Sequence, residues 1–283
     1  MEFQPFKGIR TFRIKPMTPT SLGFGISSIL LYLLSTFLIT KDSFNNTTKN
    51  SSIGPAWLAV FLHFSYIFNL FLQQNNLNFS LSNTASIISS LVALLLLLAT
   101  INKPVEKLGL AIFPLASIVL LITLSFPEQD HDLAINNWQM SIHILSSIIA
   151  FSLLNIAALQ AILLAIQEQQ LRNHPPKRFI QTLPSLQTME ALLFQMIATG
   201  ILFLTLSLFS GFIFIEDLFG QHLAHKTILA IIAWITFSSL LIGRIKYGWR
   251  GHTAVKWTLA GFSLLLLAYF GSKFVLEIIL QKT

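Results

Sequence analysis

The residues of this 283-residue chain best suited to chemistry are its histidines, because several of them fall in or beside long apolar runs. His63 sits near the middle of one run, His143 lies about five residues into another, and His222 and His225 stand at the start of a third. Lys273 and Glu277 lie near the end of the last run, spaced as i and i+4 so that they can pair on a helix. Ionisable groups are expensive in hydrocarbon, so their presence there raises the question of a site. If successive runs cross a membrane in alternate directions, the start of the His143 run, the start of the His225 run and the end of the Lys273 run share one face. His143 is then about 8 Å deep at 1.5 Å per residue, with His225 at a similar level. Two imidazoles at matched depth can act as axial ligands to a haem iron, and a nearby ammonium can neutralise a propionate. His143 and His225 are therefore the candidate haem-iron ligands, His63 a third cofactor-binding candidate, and Lys273 a candidate propionate partner.

Each residue also has a plainer reading. A lone intramembrane histidine is often hydrogen-bonded to a neighbouring helix, which applies to His143 and more strongly to His63. His225 can mark the interface, where polar groups are tolerated. Lys273 can snorkel outward with Glu277 as its partner. Asn155 and Gln160 fit hydrogen bonds between helices, and Trp138, Trp249 and Trp257 fit aromatic belts. His131, His174 and His252 lie in loops.

The elements that carry these residues follow from composition. Hydrophobic residues make up 54% of the chain, charged residues 10%, and mean hydropathy is +0.70. Soluble domains carry about 25% charge. A soluble chain of this size has no means of hiding so much apolar surface, whereas lipid is itself apolar. The expected fold is all-α: a polytopic membrane bundle of about eight transmembrane helices. A span needs about 20 mostly apolar residues, and the candidates are Leu22–Ile39, Pro55–Leu72, Leu81–Thr100, Leu108–Phe126, Trp138–Ile166, Ala191–Ile215, His225–Ile242 and Ala254–Ile279. The fifth and sixth runs exceed the needed length and can tilt or project from the lipid. The chain has no cysteine, which removes disulfides, thiolate metal sites and a cysteine nucleophile. No Gly-rich phosphate loop, Gly-x-Ser-x-Gly or His-Glu-x-x-His occurs, and the acids gather outside the apolar runs, so the chain is not expected to be an enzyme.

The net charge of +7 reads as topology rather than nucleic-acid binding, since the bases sit in short loops between spans. Eleven of them fall in the loops after spans one, three, five and seven, from Lys41 to Lys256. Those loops are expected to be cytoplasmic, which places both termini outside a bacterial inner membrane. The opposite loops hold Glu128, Asp130, Asp132, Glu216 and Asp217. The remaining seven bases lie on that outer side, four of them (Lys7, Arg10, Arg13 and Lys15) in a basic tail over residues 1–16. Met17 is a candidate true start, with residues 17–283 forming one transmembrane domain. The intact mass of the native protein tests this expectation.

Several stretches carry a family resemblance. They are Ile142-His143-Ile144-Leu145-Ser146-Ser147 with Ile156-Ala157-Ala158-Leu159-Gln160-Ala161; Pro184-Ser185-Leu186, Met189-Glu190, Gly200 to Leu206 and Ser210-Gly211; and His225 to Ala230, Ala233-Trp234, Gly248-Trp249-Arg250-Gly251 and Ala268 to Ser272. With these the chain resembles the cytochrome c assembly family of membrane proteins (the CcsA, CcmC and HemX type), most clearly after residue 140. The resemblance implies a role with haem at the outer face, where family members present it for attachment to apocytochrome c through a Trp-rich loop flanked by histidines. His143 falls at one of those family histidine positions. The chain departs from the pattern between Gly211 and Lys226, which holds no tryptophan, and at Leu241-Ile242-Gly243-Arg244, where the family has a later histidine. The expected function is that of a haem-associated accessory protein of cytochrome c biogenesis that lacks the Trp-rich loop. Its expected partners are the lipid bilayer, haem and other membrane or assembly proteins. The alternative is a haem-free membrane scaffold or regulatory subunit that stabilises another membrane protein.

Overall fold

A computed structural model describes residues 18–45, 52–74, 80–125, 138–173, 183–214 and 224–271. The basic tail, Lys273, Glu277, His131, His174, His222 and the acidic loops named above lie outside the described residues. Every expected span is helical over its described residues: α1 Pro19–Asn45, α2 Gly54–Gln74, α3 Leu81–Asn102, α4 Gly109–Ser125, α5 Trp138–Asn173, α6 Leu186–Phe214, α7 Ala224–Tyr247 and α8 His252–Leu266. All eight are long and apolar enough to cross a membrane, α4 and α8 when the turns joined to them are counted. No strand occurs among the described residues.

Boundaries moved for local reasons. A 3-10 turn, Glu106–Leu108, leads into α4. Helix α5 runs seven residues past Ile166, through Gln167–Asn173, because good helix formers continue where the apolar run stops. Helix α6 begins at Leu186, where Ser185 Oγ accepts the Thr188 N–H at 3.3 Å. Helix α8 passes into a π turn, Leu267–Gly271.

Helix α5 is the axis of the bundle. Buried positions fill 67% of its spanning window against 22% for α7. It packs along α6 and also meets α3 and α8, while α1 packs against α2 and α4, which in turn meet α3. Lipid supplies no hydrophobic drive between helices, so close packing and polar ties hold them together. Gly200 lets α6 lie against Leu154 of α5, and Gly261 lets α8 lie against Phe237 of α7. Ser28 Oγ donates to the Ala59 carbonyl at 2.8 Å. Gln160 Nε2 donates to the Met189 carbonyl at 3.2 Å and Gln167 Nε2 to the Pro184 carbonyl at 2.9 Å, so Gln160 does join helices as expected. Asn155 is half-buried on the same helix and makes no such bond among the described residues.

At the end carrying the basic loops, the α7–α8 connection is built on glycine. Gly248 and Gly251 have φ of +66° and +54°, a region that disfavours a Cβ. The Trp249 ring lies against Gly243 and 5.2 Å from the Trp257 ring. Glu190 of α6 reaches across to accept the Gly251 N–H at 2.6 Å and pairs with Arg244 at 3.8 Å. It thus caps α8 from a neighbouring helix. The Arg244 guanidinium rests 4.7 Å from the centre of the Phe194 ring and donates to the Trp249 carbonyl.

Candidate functional site

The opposite end, where α3, α5 and α7 begin and α6 and α8 finish, holds a cavity of about 620 Å³. That lies within the range of about 300–1,000 Å³ typical of small-molecule and cofactor sites. Helix α5 contributes His143 and Ser147, α6 contributes Leu204 to Phe212 on one face, and α7 contributes Lys226, Thr227 and Trp234. Thr84 of α3 and the π turn of α8 close it. The π turn brings the consecutive residues Ala268 and Tyr269 to the same wall, and Tyr269 is fixed by its ring contact with Phe151 at 4.9 Å. Single-turn π segments recur at functional sites.

Among the described residues His143 is the one imidazole lining this cavity. Its Nδ1 lies 2.9 Å from the Ser207 carbonyl oxygen. A carbonyl can only accept, so Nδ1 carries the proton and donates. In the neutral ring that leaves the lone pair on Nε2. A donor bond from one ring nitrogen to a backbone carbonyl is the usual device for orienting a metal-binding histidine. The ring is further fixed by small residues. Ser210 Oγ lies 3.4 Å from Nδ1, and Ser147 Oγ lies 2.6 Å from both the His143 carbonyl and Ser207 Oγ. Gly211 leaves room for the ring: a Cβ there would stand 2.9 Å from His143 Cε1.

The structure does not bring His225 to this cavity. It lies in the first turn of α7 and is exposed, while Lys226, Thr227, Ala230, Ile231 and Trp234 of the same helix line the wall. At about 100° per residue, His225 points about 170° away from the middle of that lining face. The two imidazoles do not share a wall, so no paired site forms between them. His63 is placed elsewhere. It is fully buried among α1, α2 and α3, with Nε2 2.9 Å from Ser86 Oγ and Nδ1 3.4 Å from the Tyr32 hydroxyl. Both ring nitrogens are engaged, which matches its plainer reading as an inter-helix tie. Lys273 lies outside the described residues. The cation that does line the cavity is Lys226, which in the sequence sits beside the more conspicuous His225. Ser207 and Gly211 act only through a cross-helix contact, and α6 alone gives no sign of it. Among the described residues no cluster of three or more His, Cys, Asp or Glu forms a metal site. Among the described residues the cavity offers one imidazole, apolar walls and a cation.

The family model described as "Cytochrome C assembly protein" matches residues 51–280. The chain is similar to the inner membrane protein YpjD of Escherichia coli strain K12, at 32% identity over 207 residues, covering 71% of this chain and 76% of that one. It is also similar to the cytochrome c biogenesis protein CcsA of Guillardia theta, at 27% identity over 56% of this chain and 60% of that one. The CcsA protein of Chlamydomonas reinhardtii is 28% identical over 50% of this chain and 39% of that one. Against both CcsA proteins the chain spans less than two thirds of the relative's length. No solved structure matches.

Proposed function

The chain belongs to the cytochrome c assembly protein family, and from that premise we propose that it is a haem-binding accessory protein of cytochrome c biogenesis in a bacterial inner membrane. It acts by binding and positioning rather than by catalytic turnover, and the cavity end faces the outside. The observation that carries this reading is His143. Its Nδ1 is committed to the Ser207 carbonyl and its ring lines a cavity of cofactor size. When bound, haem would supply an iron able to take a nitrogen ligand, and His143, with its lone pair on Nε2, is the residue that would hold it. The chain's own contribution is orientation. Ser207 fixes the tautomer, Gly211 and Ser210 seat the ring, and the apolar faces of α6 and α7 keep water from the macrocycle.

The test is an absorbance spectrum of the full chain, expressed with ample haem and purified in detergent. A Soret band is expected. His143→Ala should abolish it or shift it, while His63→Leu should leave it in place. A colourless wild-type protein from haem-replete cells sinks the proposal.

A second reading, a haem-free scaffold that stabilises another membrane protein, is favoured by one observation: His225 faces away from the cavity, and among the described residues His143 alone brings an imidazole to it. It forecasts a stoichiometric co-purifying protein and no chromophore.

A further inference from the structure

Tyr269 sits in the π turn that follows α8 and lines the cavity. Its ring lies 4.9 Å from that of Phe151, a buried residue of α5, and the next ring, Phe270, meets Phe151 at 5.7 Å. Phe151 and Ser147 are four residues apart, so they stand one above the other on α5. A tyrosine laid along that face carries its hydroxyl to Ser147, and the two side chains are hydrogen-bonded.

The protons of this cluster can be assigned from one atom. Ser147 Oγ lies 2.6 Å from the His143 carbonyl oxygen, which can only accept, so the Ser147 proton is committed there. The Ser207 hydroxyl, also at 2.6 Å, must then donate to Ser147 Oγ. So must the Tyr269 hydroxyl. One proton given and two lone pairs filled is the full capacity of a serine hydroxyl. Ser147 thus ties α5, α6 and the π turn of α8 together at a single oxygen. Ser207, which it holds by the side chain, is the residue whose carbonyl accepts the His143 Nδ1–H at 2.9 Å. That bond has little slack, because a slide of α6 along α5 by about 1 Å would carry the pair beyond hydrogen-bonding range.

We propose that Tyr269 is a positioning residue for His143, acting through Ser147 and Ser207 to keep the imidazole proton on Nδ1 and the lone pair on Nε2. The proposal rests on the haem reading only for the use made of that lone pair.

The test reads the tautomer directly, by solid-state 15N NMR of the haem-free full chain, labelled at its histidine nitrogens and reconstituted in lipid at about pH 9, where an exposed imidazole is neutral. The His143 signals are identified by their loss in His143→Gln. The wild type should show this imidazole protonated on Nδ1. Tyr269→Phe keeps a ring on Phe151 and removes only the hydroxyl. It should raise the Nε2–H form about fivefold, the size of one hydrogen bond, to a visible second set of signals. Ser207→Ala, which keeps the carbonyl and loses the hydroxyl, should do the same and serves as the second route if Tyr269→Phe fails to fold. Ser147→Ala should shift the ratio at least as far, and adding Tyr269→Phe to it should change nothing more, because the phenol acts through that serine. Tyr66→Phe, which removes a buried hydroxyl on α2, should leave the ratio alone. A wild-type proton on Nε2, an unchanged His143 spectrum in Tyr269→Phe, additive effects of Tyr269→Phe and Ser147→Ala, or an equal shift in Tyr66→Phe overturns the proposal. No haem enters the measurement, so a colourless protein defeats the haem reading alone and an unaltered tautomer defeats this one alone.

Discussion

His143 is held by a backbone atom on one side and by the lack of a side chain on the other, and both come from α6. The carbonyl of Ser207 cannot be mutated away, but the space at Gly211 can. A methyl group at that position would stand 2.9 Å from Cε1 and 3.1 Å from Nδ1 of the imidazole. Gly211→Ala should therefore displace the ring. Overpacking of this kind costs about 1–3 kcal/mol, so the variant should still fold, and the haem spectrum should change more than the thermal stability does. Unaltered absorbance with a lowered melting temperature would mean that the ring's seat has no bearing on binding. His63 illustrates the opposite case. Removing it by His63→Leu leaves the Tyr32 and Ser86 hydroxyls without their partner, at a cost of about 1–3 kcal/mol. A loss of melting temperature is expected there.

At the level of helices, the α7–α8 hairpin is fastened to α6 through one carboxylate. Glu190 accepts the Gly251 N–H at the start of α8 and faces Arg244 at the end of α7. Glu190→Ala should leave the amide uncapped and the guanidinium without its acid, destabilising the chain by about 1–3 kcal/mol. The loss should show as earlier proteolysis near Gly248–Gly251, and a cleavage rate equal to wild type would refute this role. The helices themselves were legible in the sequence, since apolar length is the whole signal for a span and α1 to α8 follow it. The faces of those helices were not. His225 and Lys226 are neighbours, yet one faces away from the cavity and the other lines it. Only the packing of α7 beside α6 decides which. His143 could be singled out because a histidine so deep in an apolar run is rare. The partners that orient it are serine and glycine, common small residues whose role depends on which helix lies opposite.

For the whole molecule, the distribution of bases forecasts that the α7–α8 connection is cytoplasmic and the His143 end is outside. The chain has no cysteine, so single cysteines can report this without background. A cysteine at Tyr247 should be shielded from an impermeant maleimide added to intact cells, and one at Trp138 should react; the reverse pattern inverts the topology. Helix α5 adds a constraint of its own. Its 36 residues make a rod of about 54 Å. Even at a tilt of about 40° it stands about 41 Å tall, roughly 11 Å more than the hydrocarbon layer. The surplus is the polar stretch Gln167–Asn173, and the exposed indole of Trp138 marks the other extremity. Any vertical sliding of this mast would drag Glu168 and Arg172 toward the acyl chains, at about 2.5–3.5 kcal/mol for a charge reaching the centre. The headgroup layers thus grip α5 at both ends, and the imidazole it carries keeps a set height in membranes of differing thickness.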